Sequence, residues 1–465
     1  MSPAHAHRTR TTKGRALVIG LVAVVLGAGV GVARQLGPSH PAAPITLPPS
    51  SIASDASASS VMTCGGMGIN GDFVASATIE ITNTSSAPRA ITALVMSDTG
   101  GRQSAPIFTV APKSTWTFNP IHVVGKGSWL AVRIVANGGG VSAVMVPTSG
   151  RSSTVTPCIS QTSTHWYFSG GSTSHGDQIN YAIVNPSITP AVVNVTLIDG
   201  AGVLAPQNAQ GLVVAPGSEL LLSGTAEAPH SSSLAASITA EQGSVVAFAT
   251  QMRPSTLSSV IMGGQSALAT SAVLAHASQD PVSSEVLCIT NPTATSSTVS
   301  VMAHSPYGKT APWVEVVPAF STWNLTLTGA SRIPLTAPYA LTLRATGYGV
   351  SATFIAQAEH ASHAALAMIP LASLVTPPQS VIPWAGLSLG SVTLFNPGTS
   401  SESVIVGGSS SKSHYVVAPG ALVALSPSTL TASAFTEIHG TVVAGASYSG
   451  AALPSLSAFA ALAKN

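Results

Sequence analysis

The sequence predicts an all-β chain of tandem immunoglobulin-like β-sandwich modules behind one N-terminal transmembrane helix. Three observations predict it. Charge is sparse in a chain of 465 residues, one uncharged apolar run lies near the N-terminus, and a set of strand-like phrases recurs four times. Only 7% of residues are charged, against about 25% in typical soluble chains, yet 45% are apolar. Such a chain covers its surface with hydroxyls and amides rather than ions, which suits extracytoplasmic β modules.

Residues 1–15 form a basic tail expected to stay in the cytoplasm. Residues 16–34 follow as the membrane segment, with an uncharged core ALVIGLVAVVLGAGVGVA at 16–33. As a helix that core would span about 27 Å, close to the hydrocarbon thickness. Four bases precede it and only Arg34 follows closely, so the positive-inside bias places the remainder outside the cell. Gly31-Val32-Ala33 also fits a cleavage site, and a cleaved signal peptide would make the protein secreted. The run exceeds the usual signal-peptide core of about 7–15 residues, which favours an uncleaved anchor. Residues 35–60 are rich in Pro, Ser and Ala without periodicity and read as a stalk. Beyond Arg34 stand 12 bases and 15 acids, a net charge of −3, with no basic stripe for nucleic acid.

Four phrases then align on one asparagine: ATIEITN at Asn83, NYAIVN at Asn185, EVLCITN at Asn291 and SVTLFN at Asn396. Pro follows in three copies and Thr84 in the first. An alternating run, a Val/Pro element (Val110, Val214, Val317, Val417), a further strand-like run and a paired run around Gly complete each copy. Short strands with turn signals and roughly 100 residues per copy fit a β-sandwich. The expected modules are 61–157, 158–265, 266–372 and 373–465. Two and four residues before each asparagine stand Ile81 and Ile79, Ile183 and Tyr181, Ile289 and Leu287, Leu394 and Val392. They share one strand face, so that face should meet the core. The opposite face (Glu80, Ala182, Cys288, Thr393) is mixed. Asn-Pro itself reads as a corner, because Pro cannot donate to the ladder and Asn can cap a turn.

Cys64 and Cys158 precede the first strands of their modules and are expected to form a disulfide; Cys288 reads as a half-buried free thiol. No hydrolase elbow, phosphate loop or zinc-protease helix appears, and no CxxC. Glu359, His360 and His363 lack a third convergent ligand and read as strand end or loop; no metal or cofactor is expected. His175 and Asp177, near Ser172 and Ser174, read as a turn rather than a triad. Asp98 and Asp199 occupy matching strand-end corners. Trp116 and Trp323 occur in repeated Ser-Thr-Trp phrases where other copies carry Leu220, Leu221 and Val423, which argues for core packing. Trp166, Tyr167 and Phe168 have no counterpart trio in the other copies. They could seal a module junction or contact a glycan or partner.

The stretch from Cys158 through HWYFSGG, YAIVNPSITPAVVNVTLIDGAG and LVVAPGS resembles an actinobacterial family of exported proteins of unknown function. The resemblance is clearest over residues 60–260 and implies export, a membrane anchor and a cell-envelope setting. The leading expectation is a non-enzymatic, membrane-anchored scaffold that meets the membrane through residues 16–34 and an envelope protein or cell-wall polysaccharide through its modules. A cell-wall glycan-binding array is the alternative, and an envelope hydrolase comes third.

Overall fold

β-Branched residues crowd runs that alternate apolar with polar, and Gly, Pro, Asn and Asp punctuate them, so the backbone settles into short strands joined by turns. The computed structural model describes residues 51–68, 76–124, 128–149, 152–279, 283–335, 337–360, 363–373, 379–383, 388–407, 412–426, 435–449, 457–460 and 462–464. Nearly all regular structure in them is strand. The expected membrane segment 16–34 and the expected cytoplasmic tail 1–15 lie outside the described residues. Within those described, no helix is long and apolar enough to cross a membrane.

Eight sheets form among the described residues, two for each stretch of chain around one asparagine. In the second stretch one sheet runs His165–Gly171, Leu234–Gln242, Ala191–Asp199, Gly202–Leu204, and the other Ser218–Ser223, Gln178–Asn185, Val246–Arg253, Ser258–Gly263. The same antiparallel order recurs in the first and third, with an opening strand (Ser59–Gly68, Ser271–Ser278) at or near the edge of one sheet and an asparagine strand (Ser76–Asn83, Ser283–Asn291) inside the other. In the fourth, Gln379–Pro383 takes the opening position and Ser388–Phe395 the asparagine position. The two sheets of each pair close over one apolar layer, giving β-sandwich character. Ile79, Ile81, Tyr181, Ile183, Leu287, Ile289, Val392 and Leu394 are all buried there, on the face the alternation predicts. A one-residue slip would turn each of them outward.

All four asparagines are buried and solve the same problem. Asn185 Nδ2 donates to the carbonyls of Thr189 at 2.8 Å and Val214 at 3.0 Å, while Oδ1 accepts from Ser187 N at 3.0 Å and Ser187 Oγ at 2.6 Å. Asn291 repeats this with Thr295, Val317 and Thr293, and Asn83 with Ala87, Val110 and Ser85. Asn396 does so with Ser400, Val417 and Gly398, where no side-chain hydroxyl joins in. One amide thus satisfies the turn it starts and ties it to the Val/Pro element, leaving few backbone groups orphaned.

The sandwiches join by a repeated seam. Three opening strands carry a β-bulge: between Cys64 and Met67, between Phe168 and Gly171, and between Leu274 and Ala277. Each bulge presses into the outer sheet face of the next sandwich. Gly65 and Gly66 meet Val184 and Phe248, Gly170 meets Cys288 and Ile355, and Ala275 and His276 meet Gly445. A Cβ on Gly170 would lie 2.7 Å from Ile355 and 2.9 Å from Cys288, and its φ of +80° is a second reason for glycine. Hydrogen bonds cross every seam: Thr250 Oγ1 to Gly66 O, Ser169 Oγ to Ser351 Oγ, and Thr393 Oγ1 to Ala275 O. The mixed face of the asparagine strand is therefore buried too. Cys288 is fully rather than half buried, because the second sandwich covers it, and burial pushes its thiol pKa up to about 12. Cys64 and Cys158 are bonded, with Cα atoms 4.5 Å apart.

The stalk expected over residues 35–60 ends earlier than composition implies. Ser51–Ile52 form a strand that pairs in parallel with Leu462–Lys464, in a sheet of the fourth sandwich. Ile52 is buried with Val144, Val146 and Val155 of the first sandwich and with Ile382 and Val404 of the fourth. Two residues are too short to show periodicity, so composition masked this strand. Ser59 and Ser60, also expected in the stalk, open the strand Ser59–Gly68, and residues 35–50 lie outside those described.

Candidate functional site

The seam between the third and fourth sandwiches opens into a cleft of about 680 Å³. Its first wall is the outer face of a third-sandwich sheet. Thr342 and Arg344, two apart on Pro338–Ala345, point the same way, as do Met302 and His304 on Ser297–Ser305. Ser271 stands opposite Arg344 on the neighbouring strand. Chain reversal at Ser305–Gly308, where Gly308 has φ +123°, brings Lys309 opposite His304. The second wall is the fourth sandwich's asparagine corner and Val/Pro element: Phe395, Pro397, Gly398, Thr399 and Pro419 to Leu422.

His304 is buried at the base. Its Nε2 shares a 2.9 Å hydrogen bond with Thr342 Oγ1, and its ring lies 4.8 Å from that of Phe395. Burial lowers its pKa, the Gly420 backbone works the other way, and Lys309 lowers it again. The imidazole is therefore neutral at neutral pH, and the positive charge resides on Lys309 and Arg344 above it, both exposed. No carboxylate lines the cleft among the described residues.

The aromatic trio is elsewhere, and strand alternation splits it. Trp166 is 0% exposed and its Nε1 donates to Val245 O at 2.9 Å; Phe168 is buried against Tyr181 at 5.5 Å. Neither can offer a face to a sugar, which corrects the platform reading for both. Tyr167 points the other way, half-buried beside His165, with burial raising its hydroxyl pKa. The core reading of Trp116 is also corrected. It is 48% exposed and stacks on Phe108 at 5.7 Å, because it sits on an edge strand with one ring face uncovered. Trp323, its third-sandwich counterpart, is half-buried.

His175 sits in a tight turn, Ser174–Gly176, and Asp177 pairs with Arg253 at 3.4 Å, so that set is structural. Asp98 Oδ1 accepts from Ser128 N and Trp129 N, and Asp199 Oδ1 from Ala201 N, as corner caps do. Glu359, His360 and His363 lie at the tip of a hairpin in which His360 pairs with His363. Among the described residues no group of three His, Cys, Asp or Glu could hold a metal. His304, Lys309 and Arg344 were not singled out by sequence. Their signal is register: His304 falls where the first and second copies have Met96 and Ile198, and Arg344 where they have Val135 and Thr239.

A family model described as Family of unknown function (DUF5719) matches residues 147–428. No curated protein matches the chain. Among solved structures, a Thermotoga maritima protein, described as Thermotoga maritima 1070, is 18% identical over 22% of this chain and 93% of its own, with a TM-score of 0.20. A tetra-tandem repeat from the extending region of a large adhesion protein is 14% identical over 87% of this chain and 99% of its own, with a TM-score of 0.12. A structure from a 1.5-MDa bacterial ice-binding adhesin is 10% identical over 62% and 90%, with a TM-score of 0.10. At such scores these likenesses carry no argument about fold or function.

Proposed function

The chain belongs to the DUF5719 family of unknown function, and from that premise we propose that it is a non-enzymatic, membrane-anchored cell-envelope scaffold. Residues 16–34 anchor it, and four immunoglobulin-like modules with boundaries at 61–157, 158–265, 266–372 and 373–465 present its surface outside the cell. The observation that carries this reading is the repeated seam. Three bulges seat in three neighbouring faces, and buried hydrogen bonds cross each junction. Flexible linkers would suit modules that reach and search; welded junctions suit modules that hold partners at fixed spacing.

Fractionation of the native host tests the reading. The chain should sediment with membranes, lose its C-terminal modules to protease added to intact cells, and become soluble when residues 16–34 are deleted. Recovery of the intact chain from cytosol overturns the anchored scaffold, and turnover of envelope polysaccharide by purified protein overturns its non-enzymatic character.

A second reading, cell-wall glycan binding, moves from Trp166 to Trp116, whose ring stacks on Phe108 by one face and leaves the other for a sugar ring. Loss of cell-wall retention in Trp116→Ala supports it; equal retention removes it.

A further inference from the structure

We propose that the cleft between the third and fourth sandwiches binds an oxyanion, the phosphate or carboxylate of an envelope ligand, with Lys309 and Arg344 as its charge partners. Three observations carry this. The first is the state of the cations. Arg89 bonds the carbonyls of Gly139 and Asp55, Arg102 reaches Pro216 O, Arg253 pairs with Asp177, and Arg332 lies over the Trp313 ring. Of the cations without an ion-pair or hydrogen-bond partner among the described residues, Arg133 and Lys412 lie elsewhere, whereas Lys309 and Arg344 line the cleft. Both nonetheless face one concavity, in a chain whose residues beyond Arg34 carry more acids than bases. A cationic concavity with low-dielectric walls concentrates anions.

The second is the company they keep. Ser271 brings a hydroxyl to the same cleft, while the hydroxyls of Ser305 and Thr342 are held by Gly308 O and His304 Nε2. Two cations and a hydroxyl without carboxylates suit an anion, and the fork of Arg344 matches the paired oxygens of phosphate or carboxylate.

The third is comparison among copies. Lys309 pairs across the hairpin with His304, as Arg102 does with Met96 and Val203 with Ile198. At the first seam Arg102 Nη1 extends to Pro216 O at 3.5 Å, on the Val/Pro element of the next sandwich. At the third seam Lys309 makes no such bond, and the cleft stays open toward Pro419 and Gly420. The repeat does not require this opening, and Arg344 replaces Val135 and Thr239 only here.

The test is calorimetric titration of the purified full chain with inorganic phosphate, glucuronic acid and glucose. Phosphate or glucuronate should bind, more weakly as salt rises from 50 to 300 mM, and glucose should not, since exposed charge pairing is screened within about 10 Å near 0.1 M. The double variant Lys309→Ala/Arg344→Ala should weaken binding at least tenfold with an unchanged melting temperature, while Arg332→Ala binds as the native chain does. Response to phosphate alone assigns a phosphate-bearing ligand, and response to glucuronate alone a carboxylated glycan. No binding of either anion, or equal binding by the double variant, overturns the proposal.

Discussion

The second and third seams make the same contact with opposite parts. At the junction of the second and third sandwiches the missing Cβ belongs to the bulge, Gly170, and the receiving face carries Cys288 and Ile355. At the junction of the third and fourth the bulge carries Ala275 and His276, and the missing Cβ belongs to the receiving strand, at Gly445. Close approach of two backbones requires an absent side chain on one partner and is indifferent to which. Neighbouring sandwiches are therefore matched as pairs, and a module moved to another place in the row would meet either two side chains or a gap.

The largest effect should come from Gly170→Ala. The new methyl overlaps Ile355 and Cys288, and the residue must hold φ +80°. Overpacking at about 1–3 kcal/mol and left-handed strain of about 1–2 kcal/mol add to roughly 2–5 kcal/mol, read as a lower denaturation midpoint. Normal stability in this variant would show that the seam yields.

Acidity distinguishes seams as well. Burial lowers the His276 pKa from 6.5 to about 4, so the unfolded chain takes up that proton first. Its stabilising contribution is present above pH 6.5 and is lost as pH falls toward 4, by ~3 kcal/mol at most. Glu219, at the first seam, accepts from Gly66 N at 2.8 Å, and burial raises its pKa from 4.5 to about 8. The Gly66 bond lowers that pKa and Asp98 raises it further. Its contribution is full below pH 4.5 and fades as pH rises to 8, the opposite direction. Denaturant titrations from pH 4 to 8.5 should show His276→Gln flattening the acid limb and Glu219→Gln the alkaline limb. Unchanged limbs would mean that neither group titrates through folding.

Gly445→Ala should cost less than Gly170→Ala, about 1–3 kcal/mol, since it meets Ala275 and His276 without a demand on φ. Ala275→Gly in the same chain should recover part of that loss, and a double-mutant cycle reads the coupling. The smallest effect concerns the corners. Thr293→Ala removes bonds to Asn291 Oδ1 at 2.7 Å and Thr295 O at 3.0 Å and should cost about 1 kcal/mol, bringing the third corner to the state Gly398 gives the fourth. A loss several times larger would show that the fourth corner is compensated elsewhere.

Much of the fold was legible because it recurs. Four asparagines at similar spacing marked the corners, and positions two and four residues earlier marked the core, since strand period and repeat reinforce each other. The seams were not legible. Glu80, Ala182, Cys288 and Thr393 look like an outward face until a neighbouring sandwich covers it, and no local pattern announces that cover. Trp116 and Trp166 exchanged places for the same reason, because ring exposure depends on strand phase and on what packs above. Trp166 and Phe168, two apart, already carried the phase that sends both inward. The cleft needed both steps, since His304, Lys309 and Arg344 become neighbours only across strand register, and the second wall comes from another sandwich.

The parallel clasp between Ser51–Ile52 and Leu462–Lys464 sets a timetable. A ribosome delivers Ile52 hundreds of residues before its partner strand, and the first three sandwiches can each close while that strand is still to come. Ile52 must wait, or find a substitute edge, until residue 464 has emerged. The last sheet to form thus ties the first described strand to the last, and synthesis stalled short of Leu462 leaves a chain with most of its cores built and its buckle open.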